Sequence, residues 1–260
     1  MTGLELFSLK GKTALISGAG GAIGSVLAQA MSQAGATVAI QDLTLEKLQQ
    51  TKKIIEATGG RVFLFAADLT DTAACTLLAA EAASALGSID ILVNCAGINR
   101  RKSIVDVTLD DFEAIVAVNM RAVYFLSQAV HSIMKVKGSG SIVNVSSITA
   151  RFSFNTVSVY AATKAAVSSM TRSFAREWIS DGIRVNCIEP GYVKTEFTRP
   201  LWGDPKRSEW FNNFTPIGRM AEPEELVGAV IYLASEASSY VTGQSILIDG
   251  GVLSGADFDS

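Results

Sequence analysis

Residues 12–24 read KTALISGAGGAIG, an apolar run followed by a stretch rich in glycine. This order predicts a strand, a tight turn and the start of a helix, where glycines let backbone N–H groups approach a phosphate. The stretch departs from the dinucleotide pattern G-x-G-x-x-G, because Ile23 stands at the third glycine. It departs from the P-loop, because Ser25 stands in place of the lysine. A phosphate cradle is the favoured interpretation, and a tight turn used only for packing is the alternative.

Short apolar runs and longer helix-like stretches alternate along the rest of the chain. Strands are predicted at 12–17, 36–41, 61–66, 89–93, 140–145, 183–188 and 245–249. Helices are predicted at 22–34, 44–57, 71–86, 108–136, 157–180 and 222–235. Continuously apolar strands that alternate with helices are typical of a parallel sheet covered on both faces. We therefore expect an α/β fold with a doubly wound, Rossmann-like parallel sheet, in a single domain over residues 1–260.

The composition restricts the classes of partner. The 260 residues are 48% hydrophobic and carry a net charge of −3, so there is no electrostatic basis for binding nucleic acid or an anionic membrane. No apolar run approaches about 18 residues, and the first residues lack a secretory core, so we expect a cytoplasmic protein. The single histidine, His131, argues against a metal site and against a Ser-His-Asp triad. Cys75, Cys95 and Cys187 lack C-x-x-C spacing and are expected to be free thiols.

One long segment lacks a regular pattern. Residues 190–221 hold four of the five prolines and two of the three tryptophans. A loop of this length within one domain is usually functional, so we expect it to form a substrate lid. A surface excursion without function is the alternative.

Asp42 strengthens the interpretation of the cradle. It ends the second predicted strand, 18 residues after Gly24, near the spacing at which a carboxylate accepts hydrogen bonds from the adenosine ribose hydroxyls. The 2′-phosphate of NADP would be repelled by this carboxylate. The cradle contains no Arg or Lys that could bind the phosphate, and the residue after Asp42 is the apolar Leu43. The sequence therefore predicts NAD rather than NADP. The alternative role for Asp42 is to cap the next helix, which Thr44 could do equally well.

A serine, a tyrosine and a lysine suggest proton transfer at a carbinol or carbonyl oxygen. Tyr160 and Lys164 are one helical turn apart, and Ser147 follows a strand 13 residues before Tyr160. Asn119 is polar among apolar neighbours. Tyrosine has a pKa of about 10, and an ammonium group about 4 Å away would lower it enough for acid–base catalysis near neutral pH. A lone Y-x-x-x-K pair is common on protein surfaces, so the prediction depends on the whole set.

With these residues in place, the chain resembles the short-chain dehydrogenase/reductase family over essentially its whole length. The family pattern T-G-x-x-x-G-x-G is matched by Ser17, Gly18 and Gly24, with Ala22 at the middle glycine. The family pattern N-N-A-G is matched by NCAG at residues 94–97. Within the family, the chain resembles members that act on sugar acids and polyols, such as gluconate 5-dehydrogenase.

The resemblance implies a seven-stranded parallel sheet, hydride transfer between NAD(P) and an alcohol or ketone, and a homotetramer. It assigns catalysis to Asn119, Ser147, Tyr160 and Lys164, with the asparagine supporting a proton-relay water and the lysine also binding the nicotinamide ribose. The residues expected to contact the cofactor are Ser17, Gly18, Gly21, Ala22, Ile23, Gly24, Asp42, Asp68, Leu69, Asn94, Ala96, Gly97, Tyr160, Lys164, Pro190, Gly191, Val193 and Thr195.

Substrate contacts are expected from loops at the same sheet edge as Tyr160. The candidates are Asn99, Arg100, Arg151, Asn155, Tyr192 and Trp202. Arg151, or the pair of Arg100 and Arg101, could clamp a carboxylate or another anion. Together with the resemblance to members that act on sugar acids and polyols, this favours a polyol, sugar or sugar acid as the substrate. Solvated arginines or subunit contacts are the alternative.

Two other functions stay open at this point. A 3-oxoacyl-carrier-protein reductase has a similar length and similar motifs, and it would use NADPH and a basic patch such as residues 100–102. A non-catalytic dinucleotide-binding sensor would be expected to lack part of the catalytic set.

Overall fold

The computed structural model describes residues 3–255 and contains one seven-stranded sheet. All strand pairs are parallel, and the strand order is β3-β2-β1-β4-β5-β6-β7. The strands are β1 (Thr13–Ser17), β2 (Thr37–Asp42), β3 (Val62–Ala66), β4 (Ile91–Asn94), β5 (Gly140–Val145), β6 (Ile183–Pro190) and β7 (Ser245–Ile248). The predicted doubly wound parallel sheet is confirmed.

Helices cover both faces of this sheet. They are α1 (Ala22–Gln33), α2 (Leu45–Ala57), α3 (Thr72–Leu86), α4 (Leu109–Val116), α5 (Ala122–Lys137), α6 (Ser158–Trp178), α7 (Arg199–Trp202), α8 (Pro205–Phe214) and α9 (Val227–Ala234). Successive side chains of a strand point to opposite faces. Accordingly, Ile16 packs with α1, α2 and α9, whereas Leu15 packs with α3, α5 and α6. Among residues 3–255, no helix is long and apolar enough to span a membrane.

The strand order reverses between β1 and β4, and this reversal determines where the candidate site lies. The chain leaves these neighbouring strands toward helices on opposite faces, which opens a crevice at their carboxyl ends. Ser17, the last residue of β1, lies opposite Gln41 of β2 and Asn94 of β4. The glycine-rich turn and the loop at residues 95–99 therefore face each other across the crevice.

The structure corrects two predicted elements. The helix predicted at 108–136 is interrupted by a wide π-helical turn, Ala117–Arg121, between α4 and α5. The segment 190–221, predicted to lack regular structure, contains α7 and α8. The Asp204 carboxylate caps α8 by accepting hydrogen bonds from the Lys206 and Arg207 N–H groups, and Pro205 occupies the first helical position.

Candidate active site

The glycine-rich turn needs glycine at two of its positions. Gly18 has φ +67°, and a Cβ atom there would lie 2.7 Å from the Ala96 Cα. A Cβ atom on Gly24 would overlap the Gly18 carbonyl. Ala22, by contrast, begins α1 at the surface and lines the crevice without such a clash. The backbone can therefore come close to a ligand at this turn, as a phosphate cradle requires.

A cleft of about 530 Å³ extends from this turn along the carboxyl ends of the strands. Most of the residues predicted to contact a cofactor line this main cleft. They are Gly18, Gly21, Ala22, Ile23, Gly24, Asp42, Asp68, Leu69, Ala96, Gly97, Tyr160, Lys164, Pro190, Gly191, Val193 and Thr195. The sequence reasoning missed other lining residues, which include Gly20, Gln41, Lys47, Cys95, Ile98, Val118 and Phe197. A close backbone approach at one end and Tyr160 with Lys164 further along fit an elongated dinucleotide.

Ser17 and Asn94 do not line the main cleft. Ser17 Oγ accepts hydrogen bonds from the N–H groups of Cys95 and Ala96, at 3.1 and 3.3 Å. Asn94 Nδ2 donates to Asn144 Oδ1 at 2.8 Å. Both side chains are buried, and they hold neighbouring strand ends together rather than facing the space of the cleft.

Asp42 is already engaged by the protein. Its Oδ2 accepts a hydrogen bond from the Gly20 N–H at 3.1 Å, and its Oδ1 accepts one from the Leu43 N–H at 2.8 Å. Lys47 Nζ lies 3.5 Å from Oδ1. The first turn of α2 therefore brings a cation to the predicted ribose site, a signal available in the sequence five residues after Asp42. The charge on this carboxylate is partly balanced.

Tyr160, Lys164 and Ser147 lie together in the main cleft. Lys164 is buried, and its Nζ donates to the Val145 carbonyl at 2.8 Å and lies 5.6 Å from the centre of the Tyr160 ring. Thr163 Oγ1 donates to the Tyr160 carbonyl at 2.7 Å.

Asn119 lies behind the main cleft rather than in its wall. Its Oδ1 accepts from the Ile98 N–H at 2.8 Å, and its Nδ2 donates to the Ile98 carbonyl at 2.9 Å. The wide π turn aims this fully buried amide at the loop after β4. Asn119 therefore positions that loop next to Gly97 and Lys164.

A side pocket of about 460 Å³ opens beyond Tyr160. It is lined by Asn99, Arg101, Ser147, Ile148, Thr149, Phe152, Ser153, Phe154, Asn155, Val157, Tyr160, Gly191, Tyr192, Phe197, Thr198, Leu201, Trp210, Phe211 and Phe214. Three of the predicted substrate residues, Asn99, Asn155 and Tyr192, lie in this wall. Ser147 and Tyr160 line both the main cleft and the side pocket.

Arg100 and Trp202, two other predicted substrate residues, are engaged outside the side pocket. The Arg100 guanidinium forms an ion pair with Asp111 at 3.3 Å. Trp202 Nε1 donates to the Thr195 carbonyl at 3.0 Å. Arg101, the neighbour of Arg100, is instead the arginine in the pocket wall.

Arg151, the remaining predicted substrate residue, also lies outside the pocket wall. Its Nε donates to the buried carboxylate of Glu189. Because a carboxylate of the protein already occupies this guanidinium, the structure does not support its predicted role as a substrate clamp.

Comparison with known proteins gives one consistent answer. A family model described as enoyl-(acyl carrier protein) reductase matches residues 18–253. A short-chain type dehydrogenase/reductase from Mycobacterium marinum superposes with a TM-score of 0.92 at 37% identity, over 96% of this chain and 98% of that one. The chain belongs to the short-chain dehydrogenase/reductase family.

Relatives of this dehydrogenase differ in their substrates. A gluconate 5-dehydrogenase of Gluconobacter oxydans is 38% identical over 248 residues, which are 95% of this chain and 97% of the relative. A 3-oxoacyl-[acyl-carrier-protein] reductase of Thermotoga maritima is 38% identical over 245 residues, which are 94% and 99%. A gluconate 5-dehydrogenase from Burkholderia cenocepacia, solved with NADP and tartrate, has a TM-score of 0.94 at 37% identity, over 98% of this chain and all of that one.

Burial sets the protonation of the central pair in this dehydrogenase. It raises the pKa of Tyr160, and the hydrogen bond with Ser147 and the positive charge of Arg101 oppose this only in part. Burial also lowers the pKa of Lys164 to about 8. The predicted lowering of the Tyr160 pKa by Lys164 together with the cofactor is therefore not produced by the protein atoms alone, in which Lys164 Nζ donates a hydrogen bond to the Val145 carbonyl and not to the phenol.

Proposed function

We propose that the chain is an NAD(H)-dependent dehydrogenase that interconverts a secondary alcohol and a ketone on a polyol, sugar or sugar acid. The observation that carries the proposal is that Ser147 and Tyr160 line both the main cleft and the side pocket. A substrate in the side pocket would therefore meet a dinucleotide in the main cleft at these two hydroxyl groups. The gluconate 5-dehydrogenase relatives support a sugar acid as the substrate class.

The residues of the chain have separate tasks in this reaction. A bound nicotinamide would supply the acceptor for the hydride that leaves the carbinol carbon. For alcohol oxidation, Tyr160 would act as a phenolate, favoured by the positive charges of Lys164 and of the bound nicotinamide, and would take the hydroxyl proton at its oxygen. For ketone reduction, the neutral phenol would give that proton back. Ser147 would hold the same substrate oxygen by a hydrogen bond. Lys164 keeps a positive charge beside the phenol while its Nζ is anchored on Val145. Asn119 positions the loop after β4, and it would also support the proton-relay water that the family resemblance implies.

The residues that line the main cleft are proposed to hold the dinucleotide. The turn from Gly18 to Gly24 would hold the pyrophosphate at the start of α1, and Asp42 would accept the ribose hydroxyls. Ser17 and Asn94 would act indirectly, by fixing the strand ends. Asp42 supports NAD as the preferred dinucleotide, whereas the neighbouring Lys47 and the NADP bound by a solved relative support some use of NADP.

Arg101 is the proposed partner of a substrate carboxylate. It lines the side pocket next to Tyr160 and Tyr192, whereas Arg100 and Arg151 are paired with protein carboxylates. Asn99, Asn155 and Tyr192 would contact the substrate hydroxyl groups. The segment 190–221, with α7 and α8, would close over this pocket as the lid of a single catalytic domain. We further propose a cytoplasmic homotetramer.

The experiment that tests the function is a screen for NADH formation over hexonates, hexitols, aldoses and simple secondary alcohols. Oxidation of a hexonate or hexitol well above the simple alcohols is the expected result. Turnover of unfunctionalised alcohols alone would contradict the sugar-acid proposal. Dinucleotide binding without turnover of any alcohol or ketone would favour a non-catalytic sensor.

A reductase of carrier-bound 3-oxoacyl groups is the second candidate, because the Thermotoga maritima relative has that activity. Docking of an acidic carrier needs a free basic patch near the pocket. Arg100 and Lys102 share the single carboxylate of Asp111, at 3.3 and 2.5 Å, so the patch at residues 100–102 is partly neutralised. Efficient reduction of a 3-oxoacyl carrier protein with NADPH would nevertheless favour this candidate.

A further inference from the structure

The side pocket is lined by two chemically different sets of residues, which we call its polar end and its aromatic end. Its polar end contains Asn99, Thr149 and Tyr192, with Arg101 beside them. Its aromatic end is built from the rings of Phe152, Phe154, Trp210, Phe211 and Phe214. A sugar acid supplies hydroxyl and carboxylate groups for the first end only. The aromatic end therefore needs its own explanation.

The polar end has unsatisfied groups that point to a ligand. Both amide atoms of Asn99, the Thr149 hydroxyl and the Tyr192 hydroxyl are buried without a hydrogen-bond partner. Among residues 3–255, Ser32 Oγ is the only other buried side-chain atom of this kind. Buried polar groups in proteins are nearly always paired, so these four atoms are expected to meet a bound molecule.

The aromatic end presents more apolar surface than the lid needs for its own packing. Leu201, Phe211 and Met220 form the buried core of the lid. Phe152 and Trp210 are 36% and 50% exposed, although both line the pocket. Exposed aromatic rings gain free energy when an apolar group covers them.

The rings at this end are arranged as a continuous wall. Trp210 stacks on Phe214 with ring centres 4.8 Å apart and planes inclined by 10°, and Phe154 meets both Phe152 and Tyr192 edge-on. The Tyr192 ring thus belongs to the aromatic wall, and its hydroxyl is one of the unpartnered polar groups. The two ends belong to one pocket, and Tyr160 lies in the wall between that pocket and the main cleft.

We infer that the side pocket is built for a hydroxy acid or ketone that carries an aryl or bulky alkyl group beyond the reacting carbon. This inference rests on the proposed dehydrogenase function and extends its substrate class beyond unsubstituted sugar acids. Asn99, Thr149 and Tyr192 bind the oxygen-rich part of the molecule. The apolar substituent lies against Phe152, Phe154 and Trp210.

The test compares two acids that differ only by a phenyl group, 3-hydroxypentanoate and 3-hydroxy-5-phenylpentanoate. Their binding to the full-length protein with NAD present is measured by isothermal titration calorimetry, and their oxidation by NADH formation. We expect the phenyl compound to bind about ten-fold more tightly, because burial of an aromatic ring is worth that much or more. Equal or weaker binding of the phenyl compound would overturn the inference.

Variants at the aromatic end locate the effect. Phe152→Ala and Trp210→Ala should reduce the preference for the phenyl compound from about ten-fold toward one. Phe7→Ala is the matched control, because Phe7 is 41% exposed and lines neither cavity, and it should keep the full preference. An unchanged preference in both pocket variants would also overturn the inference.

The outcomes separate this inference from the proposed function. Oxidation of a hexonate without any preference for the phenyl group would refute the inference and leave the function standing. Tight binding of the phenyl compound without oxidation of any tested alcohol would support the pocket assignment and refute the function.

Discussion

At the scale of the single residue, Tyr160 is the group on which the chemistry depends. Burial raises its pKa, so the side chain is a neutral phenol in the protein alone and is ready to donate a proton to a ketone. Removing the phenolic oxygen takes away the acid–base group but leaves the wall of the main cleft nearly unchanged.

Tyr160→Phe should therefore lose turnover by about 10²–10⁴-fold and keep its affinity for the dinucleotide. Turnover is measured by NADH formation and binding by calorimetry. Ser147→Ala is the companion variant, and it should retain more activity because it removes a hydrogen bond and not the proton acceptor. Appreciable turnover by Tyr160→Phe would contradict the assigned role.

Lys47 is a residue near the proposed ribose site that the sequence reasoning missed. Its Nζ lies 3.5 Å from Asp42, beside the point where a 2′-phosphate would enter. Lys47→Met should lower kcat/KM for NADP by about three- to ten-fold and change that for NAD less, because a surface charge contributes about 1 kcal/mol at this range. Lys47→Met should thus widen the preference for NAD over NADP, whereas Asp42→Ala should narrow it. If the ratio of kcat/KM for NADP to kcat/KM for NAD is unchanged in both variants, the assignment of this end of the main cleft to the adenosine ribose is contradicted.

At the scale of the element, one buried carboxylate connects three segments. Glu189 is the penultimate residue of β6. Its Oε1 accepts a hydrogen bond from Ser168 of α6 at 2.8 Å, and its Oε2 accepts one from Arg151, which follows the Ser147 turn. Glu189 is 1% exposed, so the ion pair fixes the relative positions of β6, α6 and that turn. Arg151 thus contributes to the site by holding its parts together.

Arg151→Met should destabilise the fold by about 1–3 kcal/mol, because it leaves the Glu189 carboxylate buried without its cation. Urea unfolding measures the lost free energy of unfolding. The double variant Arg151→Met/Glu189→Gln should recover part of that stability. Arg100→Met is the control, since its partner Asp111 keeps Lys102. An Arg151→Met protein of full stability but raised KM would instead restore the substrate role predicted from the sequence.

The elements show why some of the site could be predicted and some could not. The position of Gly18, Asp42, Tyr160 and Lys164 in the main cleft could be predicted because each has a fixed spacing from a strand end or along one helix face. The π turn around Asn119 was missed because one extra residue in a helical turn leaves the apolar pattern nearly intact. The partners of Arg100 and Arg151 were missed because ion pairs between distant segments leave no local signal.

At the scale of the whole molecule, the described chain leaves a set of apolar side chains uncovered on α4 and α5. Leu109, Phe112, Tyr124 and Phe125 are 72%, 46%, 41% and 37% exposed. Groups of exposed apolar side chains commonly mark a surface that binds another protein chain. This surface supports the homotetramer that the family resemblance implies.

The assembly is tested by light scattering coupled to size-exclusion chromatography, with a mass near four times that of one chain as the expected result. Phe125→Glu should shift the mass downward, because it places a charge in a surface that another subunit covers, at a cost of several kcal/mol if the charge is left unpaired. Leu77→Glu is the matched control, since Leu77 is 58% exposed on α3, and it should keep the native mass. A monomeric wild-type protein, or equal dissociation by both variants, would contradict assembly through α4 and α5.

Because Asn119 lies in the turn that joins these two helices, a dissociated Phe125→Glu protein with lowered turnover would also show that the assembly supports the active site.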